Sequence, residues 1–136
     1  MTIDHIGYAV KRIERARSAF EKLGFTFEPA IDDTDRNIKL AFGVKDGYRI
    51  ELVAPLDKKQ ESPVDQYLSN VVGTPYHICY KSDDFDKEIS EMLKMGGWKV
   101  VIEPKPAKAF YGRRVVFMFG LSLGLIEVVE GEKQNE

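Results

Sequence analysis

The chain has 136 residues, 43% of them hydrophobic and 31% charged, with 20 Lys and Arg against 22 Asp and Glu for a formal net charge of −2. That length suits one ordinary domain whose core needs no disulfide or structural metal, and a near-even charge without long runs of one sign argues against nucleic acid or an anionic membrane as partner, leaving a small molecule. One cysteine, Cys79, excludes an internal disulfide, no apolar run approaches the roughly 20 residues of a membrane span, and the N-terminus lacks a signal-peptide layout, so a soluble protein with a cytoplasmic address is expected.

Residues 2–10 alternate as a strand should, with Ile3, His5, Gly7 and Ala9 on one face. Ile13, Ala16, Phe20 and Leu23 then recur at helical spacing, and Gly24 can take the left-handed position that ends a helix. Phe25 to Pro29 reads as a short strand, and Asp32 to Asp35 as an acidic turn. The stretch from Asn37 to Phe42 reads as a strand, Lys45-Asp46-Gly47 as a hairpin turn, and 48–54 as the strand that completes a first unit. On that last strand Ile50, Leu52 and Ala54 share the face expected under the helix, whereas Arg49, Glu51 and Val53 share the other.

Segment 56–74 reads as a linker with a short helix of its own, capped by Ser62, with Pro63 in its first position and Val64, Tyr67, Leu68 and Val71 on its apolar side. The order of elements then repeats. A strand at 76–81 carries His77, and a helix with Phe85, Ile89, Met92 and Leu93 inward ends at Gly96-Gly97. Trp98 to Pro104 answers Phe25 to Pro29. A loop at 105–112, a strand from Arg113 to Phe119, a turn at Gly120 to Gly124 and a strand at 125–130 follow, and the polar tail 131–136 is expected to fray. The reading is therefore an α+β fold of two β-α-β-β-β units, unit one at 1–55 and unit two at 75–130.

The duplication carries chemistry. The only two histidines are His5 and His77, and Glu51 and Glu127 lie in the middle of the matching strands Tyr48-Arg-Ile-Glu-Leu-Val-Ala-Pro55 and Leu125-Ile-Glu-Val-Val-Glu130. The offset is 72 between the histidines and 76 between the glutamates, and the small drift falls in loops, as in a true structural duplication. Two neutral imidazoles and two carboxylates would cancel the charge of a divalent cation and leave a position open for water or substrate. Co, Mn, Ni, Zn and Fe suit these donors equally. The competing reading, two hydrogen-bonded core histidines and two solvated glutamates, does not account for all four holding equivalent places.

With these residues in view, the chain resembles the vicinal oxygen chelate superfamily, also called the glyoxalase/bleomycin-resistance fold, over its whole length. Asp4-His5-Ile-Gly-Tyr-Ala-Val10, Ile50-Glu-Leu-Val-Ala-Pro-Leu56, the Ser62-Pro63 helix, Tyr76-His77-Ile-Cys79 and Arg114-Val-Val-Phe-Met118 are most similar to methylmalonyl-CoA epimerases. The resemblance implies that the two units form a cupped, barrel-like mixed sheet with the helices outside, a homodimer with one metal ion in that sheet, and an isomerase that abstracts a proton beside the carbonyl of an acyl-CoA through an enolate. Glu127 or Glu51 would be the base. Lys39, standing where some epimerases carry a proton-moving glutamate, would act as an acid or pair with a substrate carboxylate. Matching Phe42-Gly43 to Phe119-Gly120 puts Arg114 and Asn37 on the parity of Lys39, either to bind an anionic group or simply as solvated strand-end residues. A glyoxalase I-type lactoylglutathione lyase shares the same four ligands, and non-catalytic small-molecule-binding members share the fold. Both remain alternatives.

Overall fold

The computed structural model describes residues 1–132; residues 133–136, the end of the tail expected to fray, lie outside the described residues. Among the described residues the fold is α+β, with two α-helices and nine strands in mixed parallel and antiparallel pairing. Two compact units divide the chain, the first His5–Tyr76 and the second made of Met1–Asp4 with the residues from His77 on. Among the described residues no helix is long and apolar enough to cross a membrane.

In the first unit β1 (Thr2–Val10), whose first three residues belong to the second unit, leads into α1 (Ile13–Lys22), followed by β2 (Thr26–Phe27), β3 (Ile31–Asp33), β4 (Ile38–Lys45) and β5 (Tyr48–Pro55). β1 runs parallel to β5, β5 is antiparallel to β4, and β2 and β3 both pair along the far side of β4. α1 lies on one face of this array, where Ile13, Ala16 and Phe20 pack with Tyr8, Val10, Ala41, Ile50, Leu52 and Ala54. The helix ends where Gly24 turns to a φ of 102°, and the Lys45 ammonium donates to the Leu23 carbonyl there, a cation placed at a helix C-terminus. Asp46 and Gly47 both have positive φ, 51° and 80°, which is how a two-residue hairpin turn matches the twist of its strands.

Two expectations change in this unit. The acidic stretch begins as strand β3, with the turn following at Thr34–Asn37, because the Asp33 carboxylate accepts from the Arg36 backbone N–H and closes the turn one step later. Proline 29 breaks the ladder between β2 and β3, having no N–H to give. In the linker the expected helix is only a 3-10 turn at Asp65–Leu68. The Asp65 carboxylate accepts from the Ser62 N–H at 2.8 Å, Val64 and Leu68 are buried, and Val71 is exposed, so too few apolar positions find a partner to extend it.

The second unit repeats the plan with β6 (Gly73–Ser82), whose first four residues belong to the first unit, α2 (Phe85–Met95), β7 (Trp98–Pro106), β8 (Arg114–Gly120) and β9 (Gly124–Glu130). β9 lies between its parallel neighbour β6 and antiparallel β8, and β7 pairs on the outside of β8 with two register shifts. Phe85, Ile89 and Met92 of α2 pack on Val116, Met118, Ile126 and Val128. Each unit thus has its own helix-on-sheet core, and in each the other sheet face is what carries the candidate site.

Candidate functional site

Strand register fixes which side chains share a face. On β5, Ile50, Leu52 and Ala54 point to α1, so Glu51 points away from it. Gly7 is the parallel partner of Glu51 and Phe42 its antiparallel partner, which puts His5, Glu51 and Phe42 on one face. His5 is 1% exposed and Glu51 5%, and His5 Nε2 lies 3.4 Å from Glu51 Oε1. The Phe42 ring meets the imidazole edge to face, centroids 5.5 Å apart.

The second unit builds the same arrangement from its own residues. Cys79 and Phe117 are the register partners of Glu127, so His77, two residues before Cys79, shares their face. His77 is 4% exposed and Glu127 5%. His77 Nε2 lies 3.3 Å from Glu127 Oε1, and Phe117 packs edge to face on His77 at 5.4 Å. Cys79 is a free thiol, fully buried, in the place that Gly7 occupies in the first unit.

The pair geometry fits metal ligation. Two donors each about 2.1 Å from a common ion lie about 3.0 Å apart at a right angle and about 3.4 Å apart at a tetrahedral one, and the two pairs measure 3.4 and 3.3 Å. In each, the imidazole offers Nε2 and the carboxylate one oxygen. Phe42 and Phe117 hold the rings in place and keep water from their flanks. Buried carboxylates are costly without a counter-charge, and a dication offsets two of them.

The other residues nominated from sequence stand elsewhere. Lys39 is paired with Ala54, not with Glu51, so it projects to the α1 face, where with Lys11, Arg12, Arg15 and Lys58 it lines a cleft of about 390 Å³. That register puts Lys39 and Glu51 on opposite faces of the strand pair. Asn37 is buried at a φ of 53°. Its amide donates to the carbonyls of Glu61 at 3.0 Å, Asp57 at 3.1 Å and Gln60 at 3.3 Å, and its side-chain oxygen accepts from the Asp57 N–H at 2.8 Å. It ties down the 57–61 loop and has no donor left for a substrate.

Arg114 likewise faces α2, its guanidinium 4.7 Å from the Phe85 ring centroid. It donates to both carboxylate oxygens of Asp86, at 3.1 and 2.9 Å, and to Glu130 at 2.8 Å. Hydrogen bonds from Arg114 hold the carboxyls of Asp86 and Glu130 below their ordinary range and raise the guanidinium further. Arg114 is a strut between β8, β9 and α2.

Sequence reasoning missed Phe42, Phe117 and Arg49. Arg49 shares the Glu51 face, is half-buried, and holds its guanidinium carbon 3.8 Å from the Phe42 ring centroid. Its parity was readable from the strand, and its contact was not.

A family model described as Glyoxalase/Bleomycin resistance protein/Dioxygenase superfamily matches residues 4–117. The chain is 26% identical to the uncharacterized protein YqjC of Bacillus subtilis (strain 168), over 98% of this chain and 96% of that one. Among solved structures, the hypothetical protein BH1468 from Bacillus halodurans C-125 superposes with a TM-score of 0.83 at 26% identity, covering 99% of this chain and 97% of that one. Methylmalonyl-CoA epimerase from Mycobacterium tuberculosis superposes with a TM-score of 0.81 at 24% identity, covering 97% and 89%, a likeness of fold.

Proposed function

We propose, since the chain belongs to the glyoxalase/bleomycin resistance protein/dioxygenase superfamily, that it is a metal-dependent isomerase that moves a proton beside the carbonyl of an acyl-CoA of the methylmalonyl type. His5, Glu51, His77 and Glu127 together would hold one divalent ion of Co, Mn, Ni, Zn or Fe. The observation that carries this reading is the repetition, at equivalent register positions of both units, of a buried imidazole–carboxylate pair at co-ligand spacing. The methylmalonyl-CoA epimerases among the structural neighbours support the choice of substrate class.

When bound, such an ion supplies Lewis acidity that lowers the cost of negative charge on a substrate oxygen. A carboxylate oxygen of Glu127 or Glu51 would take the proton from the carbon beside the carbonyl to leave an enolate, and delivery of a solvent-exchanged proton to the opposite face of that enolate would invert the carbon. Phe42 and Phe117 keep the imidazoles oriented and the face dry, which strengthens every charge interaction there. A cytoplasmic homodimer acting on a small molecule completes the proposal.

Mass spectrometry of methylmalonyl-CoA incubated in D₂O with the metal-loaded protein tests it. Uptake of one deuterium is expected, falling by about 10²–10⁴-fold in Glu127→Gln or Glu51→Gln, whichever is the base. No uptake by the loaded wild type would remove the epimerase reading. Turnover of a glutathione hemithioacetal instead would replace it with the lyase.

A further inference from the structure

We propose that the first unit carries a second binding site, in the cleft that Lys39 lines on the sheet face opposite Glu51, and that it takes a small phosphate monoester with a hydrocarbon body. Three stretches of chain bring five cations to this cleft of about 390 Å³: Lys11, Arg12 and Arg15 around the start of α1, Lys39 from β4, and Lys58 from the loop after β5. Glu14 is the one carboxylate among the lining residues, and its oxygen lies 3.7 Å from the guanidinium of Arg17, which does not line the cleft. Among the described residues none of the five ammonium or guanidinium groups has a hydrogen-bond or ion-pair partner, whereas those of Arg36, Arg113 and Arg114 are all engaged. Asn37 bonds the carbonyl and the N–H of Asp57, so the backbone that delivers Lys58 is held in place beside β4.

Charge and shape together name the ligand. Cations crowded on a concave surface focus a positive potential there, although the chain as a whole has a formal charge of −2. A phosphate dianion accepts hydrogen bonds from several such donors at once, whereas one carboxylate would leave most of them without a partner. Lys11, Arg12 and Arg15 also line a second, larger cleft of about 590 Å³, whose walls include Val10, Ala16, Ala19, Phe20, Val72 and Pro75. Val72 is 75% exposed, so apolar surface stands open to solvent directly beside the cations. A mostly apolar wall favours a hydrocarbon body over a sugar or a nucleobase, and a pair of concave clefts suits a small molecule better than a membrane or a nucleic acid.

The experiment is a residue-resolved NMR titration of the purified 136-residue chain with inorganic phosphate, butyl phosphate and butanol. Butyl phosphate should shift the amides of residues 10–20, 54–58 and 72–75 saturably and bind about tenfold or more tightly than inorganic phosphate, since each fully buried methylene is worth about fourfold. Butanol should be too weak to saturate. Arg12→Gln combined with Lys39→Gln should weaken both phosphates about tenfold, as should raised salt. Ala19→Gln, which puts a polar chain into the larger cleft, should cancel the advantage of the butyl group and leave inorganic phosphate unchanged. Shifts scattered over exposed lysines, shifts centred on His5 and His77, or unchanged affinity in the double variant would overturn the site. If the double variant does not fold, Arg12→Gln alone, at an exposed side chain, carries the same comparison. Equal affinity for the two phosphates would overturn the hydrocarbon half and with it the ligand class. Broadening of the same amides with protein concentration alone would assign the cleft to a second copy of the chain and overturn the small-molecule reading. The deuterium exchange reports on the other sheet face, so its failure would leave this site standing.

Discussion

Asn37 has the composition of a substrate-binding residue and the surroundings of a structural one. Its φ of 53° is a conformation in which asparagine is tolerated better than most side chains, and both ends of its amide are engaged by the 57–61 backbone. Asn37→Ala should therefore destabilise the protein by about 2–3 kcal/mol, from the polar backbone groups it leaves without partners and the strained dihedral. Urea denaturation measures that cost, and metal content per folded chain should be unchanged. A stable variant with weakened substrate binding would return Asn37 to the site. Lys39 makes the same point without a stability argument, since it is half-buried and lines a cleft on the α1 face with Lys11, Arg12, Glu14, Arg15 and Lys58.

Between elements, the Arg114 strut connects α2 to β8 and β9, and its ion pairs lead to a prediction for acid. Hydrogen bonds from Arg114 lower Asp86 and Glu130 from ordinary values of 3.8 and 4.5. Groups with depressed folded values add stability that is complete above their unfolded values and is lost as the pH falls through the folded ones. Arg114→Gln should thus melt below the wild type at pH 7, and the gap should close as the pH drops below about 4, read as Tm against pH. The raised guanidinium adds nothing over this window, because both forms keep it charged.

Much at this scale was legible in the sequence. Alternation along 48–54 assigned Glu51 to the face away from the helix, and the register agrees. The face of Lys39 was missed although the signal was present. A two-residue turn at Asp46-Gly47 sets Lys45 opposite Tyr48, which by counting back sets Phe42 opposite Glu51 and Lys39 opposite Ala54. The same count from a three-residue turn at 121–123 makes Phe117, not Phe119, the mate of Phe42. Gly43 and Gly120 encouraged the wrong match because each has an aromatic ring across it, Phe27 and Trp98, close enough that a Cβ would clash at 2.6 and 2.7 Å. The Arg49–Phe42 contact and the loop bonds of Asn37 depend on rotamers and on distant backbone, which no sequence period encodes.

For the whole molecule, duplication has a consequence for metal stoichiometry. Each unit has its own core and its own imidazole–carboxylate pair, and two donors alone make a weak site for a first-row dication, whereas four make a strong one. If each pair worked by itself, the chain would take up two ions weakly, and Glu51→Ala would leave the second in place. If one ion draws on both pairs, as proposed, the loaded protein holds one ion per chain, and either Glu51→Ala or Glu127→Ala weakens retention at that single site, the double variant adding little to a loss already complete. The bound ion should also raise Tm, by an amount that grows with the logarithm of free metal, because it binds the folded chain and not the unfolded one. Metal analysis after dialysis, with melting curves at several free-metal concentrations, distinguishes the two arrangements. Two ions per wild-type chain, or one retained by Glu51→Ala with its Tm response intact, would mean that the repeated pairs do not share an ion, and the proposed four-ligand site would be wrong.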